Sequence, residues 1–436
     1  MRDDPASAPV RIVLDLSRLV YAAWSPNPTG IPRVEHAYAE FLLARYSGEL
    51  QFAVRDALGR LRLAERGCAI DFTRAIGAFW RDEVASRAAH RRLKLSALRL
   101  HARLLLRSGS LLRHVAGPGA RTIYIIVSQL HLEAPRLIER LRRTSDVRLV
   151  YFVHDVIPAR FPEFFLPGDA DRNRARMGNA ARLADAIVVN SEATRRDFVQ
   201  QFGDRLRSPV YVAPLGTTPQ FLRSTAPMPA FRPYFLCVGT IEPRKNHLLL
   251  LHLWRRLGPD APRLVLVGGR GWENENVIDL FERSTALRGV VEERNFVSDA
   301  ELGRLFVGAR ALLLPSFAEG YGLPLVEALG SGVPVLCSDL PAFREVGGDV
   351  PEYLDPLDGP AWEQAIRDYA AEPSVRRAAQ LERLKAWRAP TWASHFDVIE
   401  TVLRSIDAEP PANSAAEKYP LNRPGEEDAG SRRRRP

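Results

Sequence analysis

The sequence predicts an α/β protein of two doubly wound halves, each a parallel sheet wrapped by helices, facing each other across a cleft. Three observations carry this. Apolar runs of strand length alternate with helix-length amphipathic segments from Val10 to Asp349. The run TTPQFLRSTAPMPAFRP, rich in Pro, Ser and Thr and without a period, divides the chain near its middle and reads as an interdomain linker. A chain of 436 residues is also too long for one hydrophobic core of ordinary size. The divisions expected are residues 1–225, residues 226–391, a C-terminal helix over 392–408 and a disordered tail over 409–436, where apolar residues become scarce.

Composition narrows the class. Hydrophobic residues make up 46% and charged residues 26%, the balance of a soluble globular chain. No apolar run approaches ~20 residues, so no membrane-spanning helix is expected. The N-terminal MRDDPASAPV lacks the apolar core of an export signal. Cys68, Cys237 and Cys337 are odd in number and far apart, which reads as reduced thiols of a cytoplasmic protein and not as a disulfide frame or metal cluster. The net charge of +9 suits an anionic partner without choosing among nucleic acid, lipid and anionic substrate.

In the first half, VRIVLDLSRLV reads as the opening strand. A loop containing Gly30 follows, then a helix over EHAYAEFLLARY; this geometry can approach a phosphate, though an ordinary loop fits equally well. Residues 81–114 are basic and helical in propensity, with Leu93, Ala97, Leu100 and Leu104 on one stripe and Arg92, Arg99, Arg103 and Arg107 on a neighbouring one. Leu95, Leu98 and Leu105 point elsewhere. Two readings stay open: a helix packed on the first half with a solvated basic face, or a patch that meets anionic lipid head groups. TIYIIVS and RLVYFVHDVIP are the next strands, and the second ends in His154 and Asp155, at the strand end where ligands of such sheets bind. Ser191 reads as the cap of the following helix.

The second half restarts with YFLCVGTIEPRKNHLLLLHLWRRL: strand, glycine turn, proline, two cations, helix. Arg244 and Lys245, beside Gly239 and Thr240, suit a pyrophosphate; a solvated basic cap is the alternative, but cations at a helix start oppose its dipole, and a local rule broken in this way marks a functional site. LVLVGGRGW adds a turn with Gly268, and NFVSDAELGRLFVGA opens a helix at Asp299 and Glu301. The densest stretch is PSFAEGYGLPLVEALGSGVPVLCSD, a strand–glycine loop–helix–strand unit with Glu319 on the loop and Glu327 eight positions on. Carboxylates behind a core strand cost stability unless paired or functional, and the start of the helix after the loop suits an anion. Glu345 and Asp349, beyond it, read as structural or cap residues.

These words resemble the family 4 retaining glycosyltransferases. Glu319 and Glu327 are spaced as that family's E-x7-E motif, with Gly-Leu-Pro-Leu between them, and TGIPRVE, VHDVIPARFPEFF and GTIEPRKN resemble its other signature loops. The likeness covers most of the chain, most strongly from Tyr234 to Asp349 and more weakly from Gly48 to Arg121. It implies the GT-B fold of two Rossmann-like domains, with helix 392–408 crossing back onto the first. It also implies that Glu319 touches the donor sugar, Glu327 holds the ribose, Arg244 and Lys245 grip the diphosphate and His154 lies beside donor sugar and acceptor. These four, His154, Glu319, Arg244 and Lys245, form the expected catalytic set. Gly30, Gly239, Thr240, Gly320, Tyr321, Gly322 and Leu323 would line the donor, with Gly268, Val297 and Ser298 near its base; Arg33 stays open.

The chemistry implied is metal-independent transfer with no cofactor, the donor being a substrate. No Asp-x-Asp metal word sits in a suitable site, so protein cations and loop amides would stabilise the leaving diphosphate. No carboxylate pair stands at the spacing of a hydrolase. GDP-mannose is the favoured donor, with UDP-sugars as the alternative. A lipid-linked or polysaccharide acceptor of exopolysaccharide, capsule or lipopolysaccharide synthesis is expected, with no nucleic-acid partner. The protein would be cytoplasmic and peripheral at the inner membrane if residues 81–114 meet lipid. Two rivals remain from the sequence: an epimerase or phosphorylase on the same architecture, and a silent scaffold, against which intact Glu319, Lys245 and His154 speak.

Overall fold

The computed structural model describes residues 10–24, 30–56, 58–81, 87–107, 121–218, 221, 233–295 and 297–408. The tail over 409–436, most of the linker, and residues 82–86 and 108–114 of the basic segment lie outside the described residues.

Two sheets organise the chain. The first holds β1 (Arg11–Asp15), β2 (Leu50–Arg55), β3 (Leu61–Leu63), β4 (Thr122–Ile126), β5 (Val147–Val153), β6 (Ala186–Val189) and β7 (Val210–Val212), in the order β3-β2-β1-β4-β5-β6-β7. All its pairs are parallel except β2 with β3. The second holds β8 (Tyr234–Val238), β9 (Arg263–Val267), β10 (Val291–Arg294), β11 (Leu312–Leu314), β12 (Val335–Ser338) and β13 (Glu352–Leu354), in the order β10-β9-β8-β11-β12-β13, all parallel. The order reverses between β1 and β4 in one sheet and between β8 and β11 in the other. Helices leave in opposite directions at such points and open a crevice at the strands' carboxyl ends. Parallel strands covered on both faces read as near-continuous apolar runs, and β5 accordingly buries all seven of its residues.

One strand expectation is corrected. SRLV does not prolong β1: Ser17–Ala22 is a helix, and the buried Asp15 carboxylate accepts the Ser17 amide at 2.9 Å where the chain turns. The helix Gly30–Arg45 also begins earlier than expected, at Gly30 itself. In the basic segment, the helix Arg87–Arg107 packs on Arg66–Arg81, burying Leu93, Ala97, Leu100 and Leu104. Leu95, Leu98, Leu105 and Leu106 stand exposed, as do Arg91, Arg92 and Arg99.

The helix Trp392–Ala408 lies against the first half. Phe396 stacks on Phe41 at 4.0 Å, His395 Nε2 meets the Tyr38 hydroxyl at 3.0 Å, and Ile399, Val402 and Ile406 are buried. Each such apolar side chain is worth roughly 1.5–3 kcal/mol on burial, so this crossing ties the second half to the first. Among the described residues no helix is long and apolar enough to cross a membrane.

Candidate active site

The two switch points face each other, and the loops leaving them build one pocket of about 330 Å³. From the second half come the loop after β8, with Gly239, Thr240, Arg244 and Lys245, and the loop after β11, with Glu319 to Leu323. From the first come Gly30, Arg33 and His154.

Glu319 is the hub. Its carboxylate accepts from Lys245 Nζ at 2.5 Å, Arg244 Nη1 at 2.9 Å and Ser316 Oγ at 2.8 Å. Burial pushes its pKa up, but Lys245 and Arg244 more than reverse this and bring it down to about 2. Arg244 also grips Glu242 at 2.5 Å and donates to Ala318 O at 2.6 Å. Burial would lower its pKa, and Glu319 and Glu242 raise it instead. The cations stand at a helix entry, as the sequence suggested, and Glu319 compensates them there. They lie on the single 3-10 turn Pro243–Lys245, after which Asn246, at φ 54°, lets the chain enter the helix His247–Leu257. Lys245 can donate three hydrogen bonds and gives one to Glu319, so a phosphate oxygen at this corner would find a cation already aimed.

Across the cleft, His154 Nε2 lies 2.8 Å from the Val127 carbonyl. A carbonyl only accepts, so the proton sits on Nε2 and Nδ1 keeps its lone pair. Burial lowers the pKa to about 4, and the ring is neutral at pH 7. It can accept a hydrogen bond from a sugar hydroxyl and is no general acid there. Asp155 does not touch the imidazole. Its carboxylate accepts the Ile157 amide at 3.0 Å and shapes the loop; burial raises its pKa and Arg244 partly offsets this. Gly320 is required where the halves meet: a Cβ there would lie 2.4 Å from His154 O. Gly268, at φ 153°, packs so closely on Gly239 that a Cβ would lie 2.0 Å from its carbonyl oxygen.

Glu327, on the helix Leu323–Gly330, has a different setting. It is buried; burial raises its pKa, Arg33 opposes and Asp299 adds to the rise, and the result is about 7.

The expected residues converge with one exception. Ser298 does not line the pocket: its hydroxyl accepts the Glu301 amide at 3.2 Å and caps the helix Asp299–Gly308. Val297 and Gly268 do line it, with Asn295 between them. Tyr321 lines it too, but its hydroxyl is turned to Leu215 O at 2.6 Å, bracing the two halves. Ser191 caps its helix as expected, and it also donates to Gly320 O at 2.7 Å, as Thr194 does at 3.0 Å. Glu345 caps that same helix from the other half, accepting the Glu192 amide at 2.7 Å and the Ala193 amide at 3.1 Å. Arg33 finds Asp299. None of these cross-cleft partners has a local signal, because each joins segments more than a hundred residues apart. Among the described residues no three His, Cys, Asp or Glu side chains group to hold a metal.

Known proteins match this picture. Residues 222–352 match the family described as glycosyl transferases group 1, and residues 61–221 match glycosyltransferase family 4, without a gap between them. The Escherichia coli O-antigen chain mannosyltransferase B is 34% identical over 212 residues, 48% of this chain and 52% of that protein. The Escherichia coli serotype-specific mannosyltransferase WbdA is 30% identical over 236 residues, 49% of this chain and 29% of that one. The chain thus spans about half or less of the length of these curated relatives. The crystal structure of Anabaena HepE in complex with UDP-glucose superposes with a TM-score of 0.60 at 15% identity, covering 90% of this chain and 99% of that one; the likeness is one of fold. With two facing Rossmann-like sheets in the GT-B arrangement and both halves matched in sequence, the chain belongs to the family 4 glycosyltransferases.

Proposed function

We propose that the protein is a retaining, metal-independent hexosyltransferase that takes a sugar from a nucleotide-sugar donor, with GDP-mannose favoured over UDP-sugars. The observation that carries this is Glu319 held ionised by Lys245 and Arg244 on one wall while neutral His154 faces it on the other. The donor diphosphate would lie at the cationic corner and its sugar between Glu319 and His154, with the ribose at Glu327. As the bond from sugar to phosphate breaks, charge grows on the diphosphate, and donors already aimed there lower the barrier without reorganising. In front-face attack the departing phosphate takes the acceptor's proton, which suits a site whose histidine is neutral and engaged through Nε2. The favour for mannose rests on the TGIPRVE and HDVIPARFPE words and on the mannosyltransferase names of the relatives.

The acceptor would enter through a second cavity of about 330 Å³, which shares Asp155, Glu242 and Arg244 with the donor pocket and adds Arg18, Arg172 and Arg176. A lipid-linked or polysaccharide acceptor of surface-polysaccharide synthesis fits the relatives' O-antigen names. In this reading the helix Arg87–Arg107 is the membrane-facing element, because exposed leucines beside exposed arginines combine apolar insertion with attraction to anionic lipid. The enzyme would then sit peripherally at the cytoplasmic face of the inner membrane. The test is donor turnover by the purified chain across a nucleotide-sugar panel, with the anomeric configuration of the product read by NMR. Transfer with retention supports the reading, and inversion or turnover of no donor defeats it.

A further inference from the structure

Each half supplies one wall of the donor pocket, so turnover needs the halves in register. One side of the cleft is fixed by Ser191 and Thr194 on Gly320 O and by Glu345 on the amides of Glu192 and Ala193. The other side carries an ion pair. Arg33, on the helix Gly30–Arg45, makes a two-pronged contact with Asp299 at the start of the helix Asp299–Gly308; Nη1 to Oδ2 is 2.8 Å, and Nη2 meets Oδ1. The Asp299 side chain is 4% exposed and that of Arg33 15%. The Trp80 ring lies 5.9 Å from the same guanidinium. A buried pair gains little net stability, because desolvation offsets the attraction, but its fork geometry fixes where two surfaces meet. Arg33 also lines the same pocket as Glu327.

We propose that Arg33 is a positioning residue: its pair with Asp299 sets the register of the two halves over the donor and holds the Arg33 side chain at the Glu327 end of the pocket. The proposal rests on the reading of Glu327 as the ribose ligand. A ribose hydroxyl bonds better to a carboxylate than to a neutral acid. The charged groups that act on Glu327 are Arg33 from one half and Asp299 from the other, and they act in opposite senses. Removing either partner breaks the same contact, yet should shift Glu327 in opposite directions. A bridge remote from the donor site would leave the donor pH profile unmoved.

The experiment measures donor kcat/KM against pH for the full chain as wild type, Arg33→Gln, Asp299→Asn, Arg33→Lys and the double variant Arg33→Gln/Asp299→Asn, with Tm recorded for each. On the free enzyme this profile reports the essential groups. Both single neutral variants should lose about tenfold or more in kcat/KM, the size of an ordinary coupling between sites. Arg33→Gln should move the acid limb to higher pH and Asp299→Asn to lower pH. Arg33→Lys should keep the wild-type limb while losing part of the rate, and it remains informative if a neutral variant fails to fold. The double variant should lose less than the product of the singles. In the two single neutral variants, limbs that stay put or move the same way, or losses that simply multiply in the double variant, overturn the proposal. Thermal shift of the wild type with GDP and with UDP separates the two readings. Failure of both nucleotides to stabilise it overturns the donor reading and this proposal with it. Stabilisation with unmoved limbs in the variants overturns this proposal alone.

Discussion

Glu319 and Glu327 stand eight residues apart on one loop–helix unit, and their surroundings are opposite. Glu319 has two cations and a hydroxyl within 2.9 Å, and its pKa falls to about 2. Glu327 is as deeply placed, but its cation, Arg33, is already committed to Asp299, and its pKa rises to about 7. One end of the pocket is a prepaired charge cluster. The other is a buried carboxyl which, in the proposed reading, would meet the hydroxyls of a ribose. The difference teaches that the spacing of a motif says where two groups lie, while their ionisation is set by segments far away in the chain.

The largest effect should come at the paired end. Glu319→Gln and Lys245→Ala should each lower transfer by about 10²–10³-fold, the size of losing one preorganised electrostatic contact, measured by product formation under saturating donor. Glu319→Gln leaves Arg244 and Lys245 buried and undercompensated, so the free protein should also lose stability, on the order of 3 kcal/mol. Turnover near wild type in a folded variant removes Glu319 from the site.

The same isosteric change at Glu327 should act on stability with the opposite sign. A carboxyl whose folded pKa is raised stabilises the fold fully below its unfolded value, near 4.5, and loses that contribution as pH rises through about 7. Glu327→Gln should therefore raise the Tm of the ligand-free protein at pH 8, by an amount equivalent to about 3 kcal/mol at most, while weakening donor binding. Glu319 runs the other way: its contribution is present above pH 4.5 and is lost as pH falls towards about 2. Thermal melts of the two variants from pH 2 to 8 check both slopes. A fall in Tm at pH 8 for Glu327→Gln would erase the contrast.

The place of each residue at the paired end was legible in the sequence because each sits on a local strand–loop–helix unit, while the pairing itself joins Glu319 to Lys245 and Arg244 on another strand's loop. Strand, short loop and helix bring Arg244, Lys245 and Glu319 to adjacent strand ends, and each stands next to an apolar run that fixes its place. The rest was not, for a physical reason. Arg33 and Asp299 are 266 residues apart and nothing in either neighbourhood announces the other. Tyr321 sits inside the motif, yet its hydroxyl serves Leu215. The helix Ser17–Ala22 was hidden because LDLSRLV alternates like a strand until the Asp15 carboxylate takes the Ser17 amide.

Smaller effects probe the surroundings. Replacing exposed Arg91, Arg92 and Arg99 with Ser should weaken co-sedimentation with anionic vesicles, each residue contributing roughly 1 kcal/mol at low salt, and should leave donor hydrolysis unchanged. A wild type that ignores such vesicles would leave the helix as a packed element. The smallest effect is expected from chelation: dialysis against EDTA should leave transfer intact if, as proposed, Arg244 and Lys245 take the place of a metal at the diphosphate. Activity lost on chelation and restored by magnesium would contradict that.

The most direct test of the donor site is a thermal shift of wild type and Lys245→Ala with GDP, UDP, GDP-mannose and UDP-glucose. A ligand that binds only the folded chain raises its stability by mass action, about 2.7 kcal/mol at a hundred times Kd. A site built on the Lys245–Glu319–Arg244 cluster predicts a clear rise for the wild type with at least one sugar nucleotide, GDP-mannose first, and little or none for Lys245→Ala. No rise with any of the four, or an equal rise in both proteins, would contradict it.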